Sequence, residues 1–181
     1  MIIKKILLFA ASIINLFILI NIISTNSNAE DSNSKRYSGD KGVLAIMYHR
    51  FNESKYPSTN IQMDVFQKHI DLIKESKFNF YNPNEFEENF DKPKETKRIL
   101  LTIDDAFSSF YNEAWPILKK NKIPFILFVS TEPVGKNGYM NWDEIIEIEK
   151  SEFGYIGHHS HTHEYLIDMN EEDFINDIET S

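Results

Sequence analysis

There is no cysteine anywhere in the 181 residues. Disulfides and thiolate metal sites are thereby excluded, and any metal must be held by nitrogen and oxygen. The residue that would carry a lipoprotein anchor is missing too. Basic residues are in deficit: 19 Lys and Arg stand against 28 Asp and Glu, a net charge of −9. That balance argues against nucleic acid or an anionic membrane surface as a partner. An acidic surface that keeps the protein soluble accounts for it simply. No internal repeat is present. Length is also short of the about 200 residues or more that a complete α/β barrel needs. What is there suffices for one packed domain, since 41% of residues are hydrophobic and 13% aromatic.

The first 29 residues stand apart. Lys4 and Lys5 precede a nearly unbroken apolar run from Ile6 to Ile23, interrupted only by Ser12, Asn15 and Asn21. Ser27-Asn28-Ala29 then places small residues where a signal peptidase cuts. Residues 1–29 read as a secretory signal cleaved after Ala29. The alternative is an uncleaved N-terminal anchor, because the run approaches the ~18 residues that begin to span a bilayer. Either way the rest of the chain is exported, to the periplasm, cell envelope or extracellular space, and any membrane contact runs through this segment. The segment holds two lysines and no acid, so the remainder carries 17 basic and 28 acidic residues, net −11. Residues 30–41 are polar and read as a linker.

From residue 42 onward strands and helices alternate. Buried strands are expected over Gly42–Tyr48, Phe78–Tyr81, Ile99–Ile103, Phe125–Val129 and Phe153–Ile156. Met63, Phe66, Ile70 and Ile73 recur at helical spacing within Met63–Glu75. Further helices are expected over Asn84–Phe90, Phe107–Lys120, Trp142–Lys150 and Glu171–Thr180. Pro116 should kink or break the third of these five, and Asn141 should cap the fourth. Phe51–Asn60, Pro93–Thr96 and Gly135–Gly138 read as loops. The alternation makes the class α/β with a mainly parallel sheet.

Two stretches carry chemistry. The apolar run Ile99–Ile103 ends abruptly on Asp104 and Asp105. Side chains alternate along a strand, so both acids can face one site only if the strand stops there. Ligand sites of α/β sheets lie at that carboxyl end. Asp105 could instead cap the following helix, or cap and ligate together. The second stretch is His158-His159-Ser160-His161-Thr162-His163. His159 and His163 are four apart, and on a helical turn both imidazoles would face one side. With one carboxylate they make two nitrogens and one oxygen, the open set of a catalytic zinc. The competing reading is a solvated His-rich loop. Zn2+ is the first choice of divalent ion, and Co2+, Fe2+, Ni2+ or Mn2+ suit the same donors. The second carboxylate, left uncoordinated, fits a general base.

Thr102-Ile103-Asp104-Asp105 resembles the first motif of the polysaccharide deacetylases (the NodB homology domain, carbohydrate esterase family four). Ile156-Gly157-His158-His159-Ser160-His161-Thr162-His163 resembles the second. Met47–Phe51, Tyr56–Asn60, Ala114-Trp115-Pro116 and Tyr139–Asp143 give supporting matches, and the likeness covers about residues 43–170. It implies an irregular (β/α) barrel, of which 42–181 would supply the first five or so units as a partial deacetylase domain. It also implies Asp104 as catalytic base and Asp105, His159 and His163 as metal ligands. Ser160 would brace the ligand loop, with His158 and His161 outside the ligand set. The implied reaction is de-N-acetylation of a polysaccharide containing N-acetylglucosamine, releasing acetate. His49 ends the first strand, at the same end of the sheet as the acids. The resemblance to poly-N-acetylglucosamine deacetylases makes it the general acid, against the alternative of a structural histidine.

The family's third motif, an Arg/Tyr-Pro-x-Gly segment, does not occur, nor do its later tryptophan and Leu-x-His motifs. The chain therefore reads as C-terminally truncated. Two other functions compete with a working deacetylase: a carbohydrate-binding protein without turnover, and a metal-dependent hydrolase of a non-sugar amide.

Overall fold

The computed structural model describes residues 42–89 and 97–181. The signal or anchor expected over 1–29, the linker over 30–41 and the loop over 93–96 lie outside the described residues. In chain order the elements are β1 (Leu44–Tyr48), β2 (Arg50–Phe51), β3 (Asn60–Ile61), α1 (Met63–Glu75), β4 (Phe78–Phe80), α2 (Phe86–Asn89), β5 (Lys97–Asp104), α3 (Trp115–Asn121), β6 (Phe125–Val129), α4 (Trp142–Glu149), β7 (Gly154–His158) and α5 (Glu171–Thr180). Among the described residues no helix is long and apolar enough to cross a membrane.

β5 is the centre of the sheet, and its sequence explains why. Every residue from Arg98 to Asp104 is buried, which only a strand covered on both faces can offer. β1 lies along it in parallel, pairing Leu44 with Ile99 and Tyr48 with Ile103. β6 also lies along it, pairing Leu101 with Phe125 and Asp104 with Phe128. β4 pairs with its start, and β7 extends the sheet beyond β6. All these pairings are parallel, so the carboxyl ends of β1, β5, β6 and β7 share one rim. The described part thus comprises five strand-and-helix units, as the alternation implied.

The helices bury the stripes their spacing announced. Phe66, Ile70 and Ile73 of α1 are buried, each contributing roughly 1.5–3 kcal/mol. Phe110, Ala114, Trp115 and Leu118 join the same core as Leu101, Ile103, Phe125 and Leu127. The expected helix over 107–120 is broken, for the reason Pro116 gives. Residues Phe110–Ala114 form a π turn, in which the Trp115 N–H reaches back to the Phe110 carbonyl. α3 then restarts with Pro116 in its first turn, where a missing N–H leaves no hydrogen bond unmade. Asn141 caps α4 through a reciprocal pair: its side chain accepts from the Glu144 N–H at 3.0 Å, and its own N–H donates to the Glu144 carboxylate at 2.8 Å.

The stretch Phe51–Asn60 is more ordered than a loop. β2 and β3 pair in parallel, and Asn52 N–H donates to the Ile61 carbonyl at 3.0 Å. Phe51 seats this small sheet on the core, its ring 5.1 Å from that of Phe66. The alternating signal of a strand cannot appear in two residues, so the sequence hides them.

Candidate metal centre

The acids reach the rim through a turn in the backbone. β5 ends at Asp104, and Asp105 and Ala106 adopt left-handed φ values of 72° and 54°. For residues with a Cβ that conformation is unfavourable and persists only where the surroundings impose it. Here the Asp105 N–H is tied to the Phe128 carbonyl at 3.0 Å. The turn cancels the alternation that would have sent the two carboxylates to opposite faces. Among the described hydrogen bonds no helix N–H ends on Asp105, so its carboxylate is not a helix cap.

The histidines arrive by a different route. His159 and His163 are not on a helical turn, contrary to the expectation from their spacing. They flank an irregular loop in which Ser160 and His163 have φ values of 61° and 60°. Two left-handed residues fold the loop back on itself and bring the imidazole centroids to 4.8 Å. Ser160 does brace the loop, its Oγ accepting from the His163 N–H at 3.1 Å. The loop is also stitched to β6 and its continuation. His159 N–H donates to the Val129 carbonyl at 3.0 Å, and Ser130 Oγ–H donates to the His159 carbonyl at 2.7 Å. His158 and His161 are not part of the Asp105–His159–His163 group and bond within and beside the loop. His158 Nδ1 accepts from the Ser160 N–H, and His161 Nδ1 lies 2.8 Å from Thr131 Oγ1.

These two segments meet. Asp105 Oδ1 lies 3.2 Å from His159 Nε2 and 3.0 Å from His163 Nε2. Although both nitrogens are that close, Asp105 Oδ1 is buried and takes part in no hydrogen bond. A buried carboxylate oxygen left unsatisfied is costly unless a cation completes it. Two imidazole nitrogens and that oxygen, all within 4.8 Å of one another, make a group able to hold a metal ion. The donors fit a divalent ion of the zinc type.

Asp104 and His49 stand beside this group. Asp104 Oδ2 is 3.9 Å from His49 Nε2, and its Oδ1 is buried without a hydrogen bond. Burial drives the Asp104 carboxyl above its ordinary pKa, with His49 and His159 drawing it partly back. His49 follows β1 directly, so the Tyr48–Ile103 pairing sets it opposite the end of β5. His49, Asp104, Asp105, His159 and His163 thus lie close together at the carboxyl rim of the sheet.

A further acid adjoins the histidine loop. Asp177 in α5 is 4% exposed, while Phe174 and Ile175 of the same helix are largely exposed. Its carboxylate accepts from the His161 N–H at 3.0 Å, the Thr162 N–H at 2.8 Å and the Thr162 hydroxyl at 2.6 Å. Burial raises its pKa, but the bonds from Thr162 and His161 outweigh burial and hold it below the usual value. An acid standing on the stripe of Phe174 and Ile178 was the one available hint.

Comparison with known proteins bears on this geometry. The sequence model of the family described as Polysaccharide deacetylase matches residues 91–181, half of the chain. The chain belongs to the polysaccharide deacetylase family. It is 28% identical over 157 residues to poly-beta-1,6-N-acetyl-D-glucosamine N-deacetylase of Staphylococcus aureus, covering 76% of this chain and 54% of that protein. The protein of the same name from Staphylococcus epidermidis is 25% identical, with 77% and 54% covered. The chain thus spans about half the length of the curated relatives it matches. Among solved structures, IcaB from Ammonifex degensii superposes with a TM-score of 0.59 at 28% identity, over 74% of this chain and 57% of that one. A polysaccharide deacetylase from Bacillus cereus superposes at 0.64, over 74% and 43% of the two chains, with 18% identity, and so supports the fold alone. The sheet of this family member is accordingly part of the barrel-like fold of polysaccharide deacetylases.

Proposed function

We propose that the protein is an exported, metal-dependent N-deacetylase of a polysaccharide built from N-acetylglucosamine. The observation that carries the reading is the meeting of Asp105, His159 and His163 beside the Asp104–His49 pair. The staphylococcal relatives, named poly-beta-1,6-N-acetyl-D-glucosamine N-deacetylases, support β-1,6-linked N-acetylglucosamine as the substrate class. Export rests on Lys4, Lys5 and the apolar run that follows them.

Asp105, His159 and His163 would hold the ion. A divalent ion there supplies Lewis acidity, which polarises a carbonyl and makes water a nucleophile near neutral pH. Asp104 takes the proton of the attacking water, and its raised pKa suits a base working near neutrality. The water oxygen bonds to the acetamide carbonyl carbon. As the C–N bond breaks, His49 gives its proton to the departing nitrogen. The products are acetate and a free amine on the sugar. Burial on the β5 side excludes competing water from Asp104.

The test measures metal content and acetate release on an N-acetylglucosamine oligomer, for the wild type and two variants. Wild type should hold about one metal per chain and release acetate. Asp104→Asn should keep the metal and lose about 10²–10⁴-fold in rate, the usual contribution of a general base. His163→Ala should lose the metal. Retention of metal by His163→Ala, or an active Asp104→Asn, would overturn the assignment. Binding of the oligomer without acetate release by the wild type would favour the carbohydrate-binding reading.

A further inference from the structure

The loop that presents His159 and His163 owes its shape to a residue outside both motifs. Between the two imidazoles the chain runs Ser160-His161-Thr162. The backbone N–H groups of His161 and Thr162 both turn toward α5. In an irregular segment such groups need partners, or water takes them and the loop loses its single conformation. Asp177 supplies both partners with one carboxylate, Oδ2 accepting from His161 and Oδ1 from Thr162, and Oδ1 also accepts the Thr162 hydroxyl. Successive N–H groups converging on one carboxylate make the tightest clamp that an acid can offer a turn. The opposite ends of the loop are held by neutral bonds, to Ser160 Oγ, Thr131 and the Val129 carbonyl.

We propose that Asp177 is a positioning residue for the metal: by clamping the His161–Thr162 backbone it fixes the separation and aim of the His159 and His163 imidazoles. This rests on the metal-binding reading above. The described hydrogen bonds of Asp177 go to the His161 and Thr162 backbone and the Thr162 hydroxyl, and none to the His159 or His163 imidazole, so it acts through the loop. Its position explains why an acid is buried on a helix that leaves Phe174 and Ile175 exposed. It also makes docking of α5 and competence of the metal centre one event, because no other described residue joins the helix to both backbone groups.

The experiment is zinc affinity, by competition with a chromophoric chelator, together with thermal melting of the metal-free full chain. Wild type, Asp177→Asn, Thr162→Val and His163→Ala are compared. Asp177→Asn is nearly isosteric but sets an amide donor against one of the two N–H groups. Its affinity should fall about 10–100-fold, the range seen when a partner of a metal ligand is removed. Thr162→Val keeps both backbone bonds and loses only the hydroxyl, so its affinity should fall several-fold. In Co2+-loaded Asp177→Asn the visible absorption should change in shape as well as amplitude, reporting altered ligand geometry. A merely structural clamp would lower the melting temperature and leave affinity and spectrum alone. Affinity within about threefold of wild type in Asp177→Asn overturns the proposal. If that variant does not fold, unchanged affinity in Thr162→Val overturns it instead. His163→Ala serves a separate purpose: wild-type affinity there would overturn the metal reading itself, and the Asp177 proposal with it.

Discussion

The two halves of the site are built on opposite principles. Asp104 and Asp105 end a strand that is buried on both faces and hydrogen-bonded on both edges. His159 and His163 sit on a half-exposed loop whose order comes from polar contacts: Ser160 within it, Ser130 and Thr131 from the segment after β6, and Asp177 from α5. The acids are placed by packing and the histidines by hydrogen bonds. Packing energy is spread over many residues and is lost with the fold. Polar clamps are few, and losing one leaves the fold standing with a misplaced imidazole.

That contrast can be broken or sharpened by substitution, and the largest effect belongs to the packed half. Leu101→Ala, at a fully buried position of β5, should cost about 3–4 kcal/mol, read from denaturant unfolding. A loss below about 1 kcal/mol would mean the acids do not depend on a close-packed strand. Gly157→Ala tests the seam between the halves. A Cβ there would come within 2.5 Å of the Phe128 ring, and Phe128 also receives the Asp105 N–H. Overpacking should cost roughly 1–3 kcal/mol and disturb both halves together, visible as lower stability and weaker metal binding. Wild-type stability in that variant would show that the strands have slack.

How much of this was legible in the sequence follows the same division. The apolar run into Asp104-Asp105 announces a buried strand end, because packing requires apolar residues in one unbroken stretch. The helix stripes, the Asn141 cap and the break at Pro116 were legible for equally local reasons. The histidine loop was legible in its residues and not in its shape. Spacing of four suggested a helical turn, whereas left-handed backbone at Ser160 and His163 does the work. Neither residue advertises that conformation as glycine would. Asp177 was hidden because two of its three bonds come from backbone groups 15 and 16 positions away, which leave no trace in side-chain pattern.

Smaller effects sharpen the polar half. Ser160→Ala removes the acceptor for the His163 N–H. Stability should fall by about 1 kcal/mol, while zinc affinity falls about tenfold. Zinc affinity unchanged from wild type in this variant would show that the polar bonds do not place the imidazoles. The smallest change lies away from the site, at a polar clamp between α3 and α4. Glu147 accepts from Lys119, Tyr111 and Trp115. Those bonds, Lys119 first, pull its carboxyl down to about 2 from an ordinary 4.5. An acid depressed in this way stabilises the fold above its ordinary value, and the stabilisation is lost as pH falls through the window from 4.5 to about 2. Because Glu147 is largely in contact with solvent, screening limits this to ~0.5–1 kcal/mol. Glu147→Gln should lower stability at neutral pH by that amount and flatten the acid limb, as followed by thermal melting across pH. An acid limb as steep as in wild type would exclude a contribution from this clamp.

The parallel sheet has a kinetic consequence. No strand of it is joined to its neighbour by a hairpin, so no pairing is local: Leu44 meets Ile99, Leu101 meets Phe125, and Phe125 meets Gly154. Each requires closure of a long segment before any ladder bond rewards it. The proposed ligands come from positions 105, 159 and 163, which meet only after β5, β6 and β7 have aligned in register. A nascent or unfolded chain therefore offers at most the paired histidines, a weak site, and full affinity arrives with the last strand. On the proposed metal reading, metal capture would report completed folding rather than nucleate it.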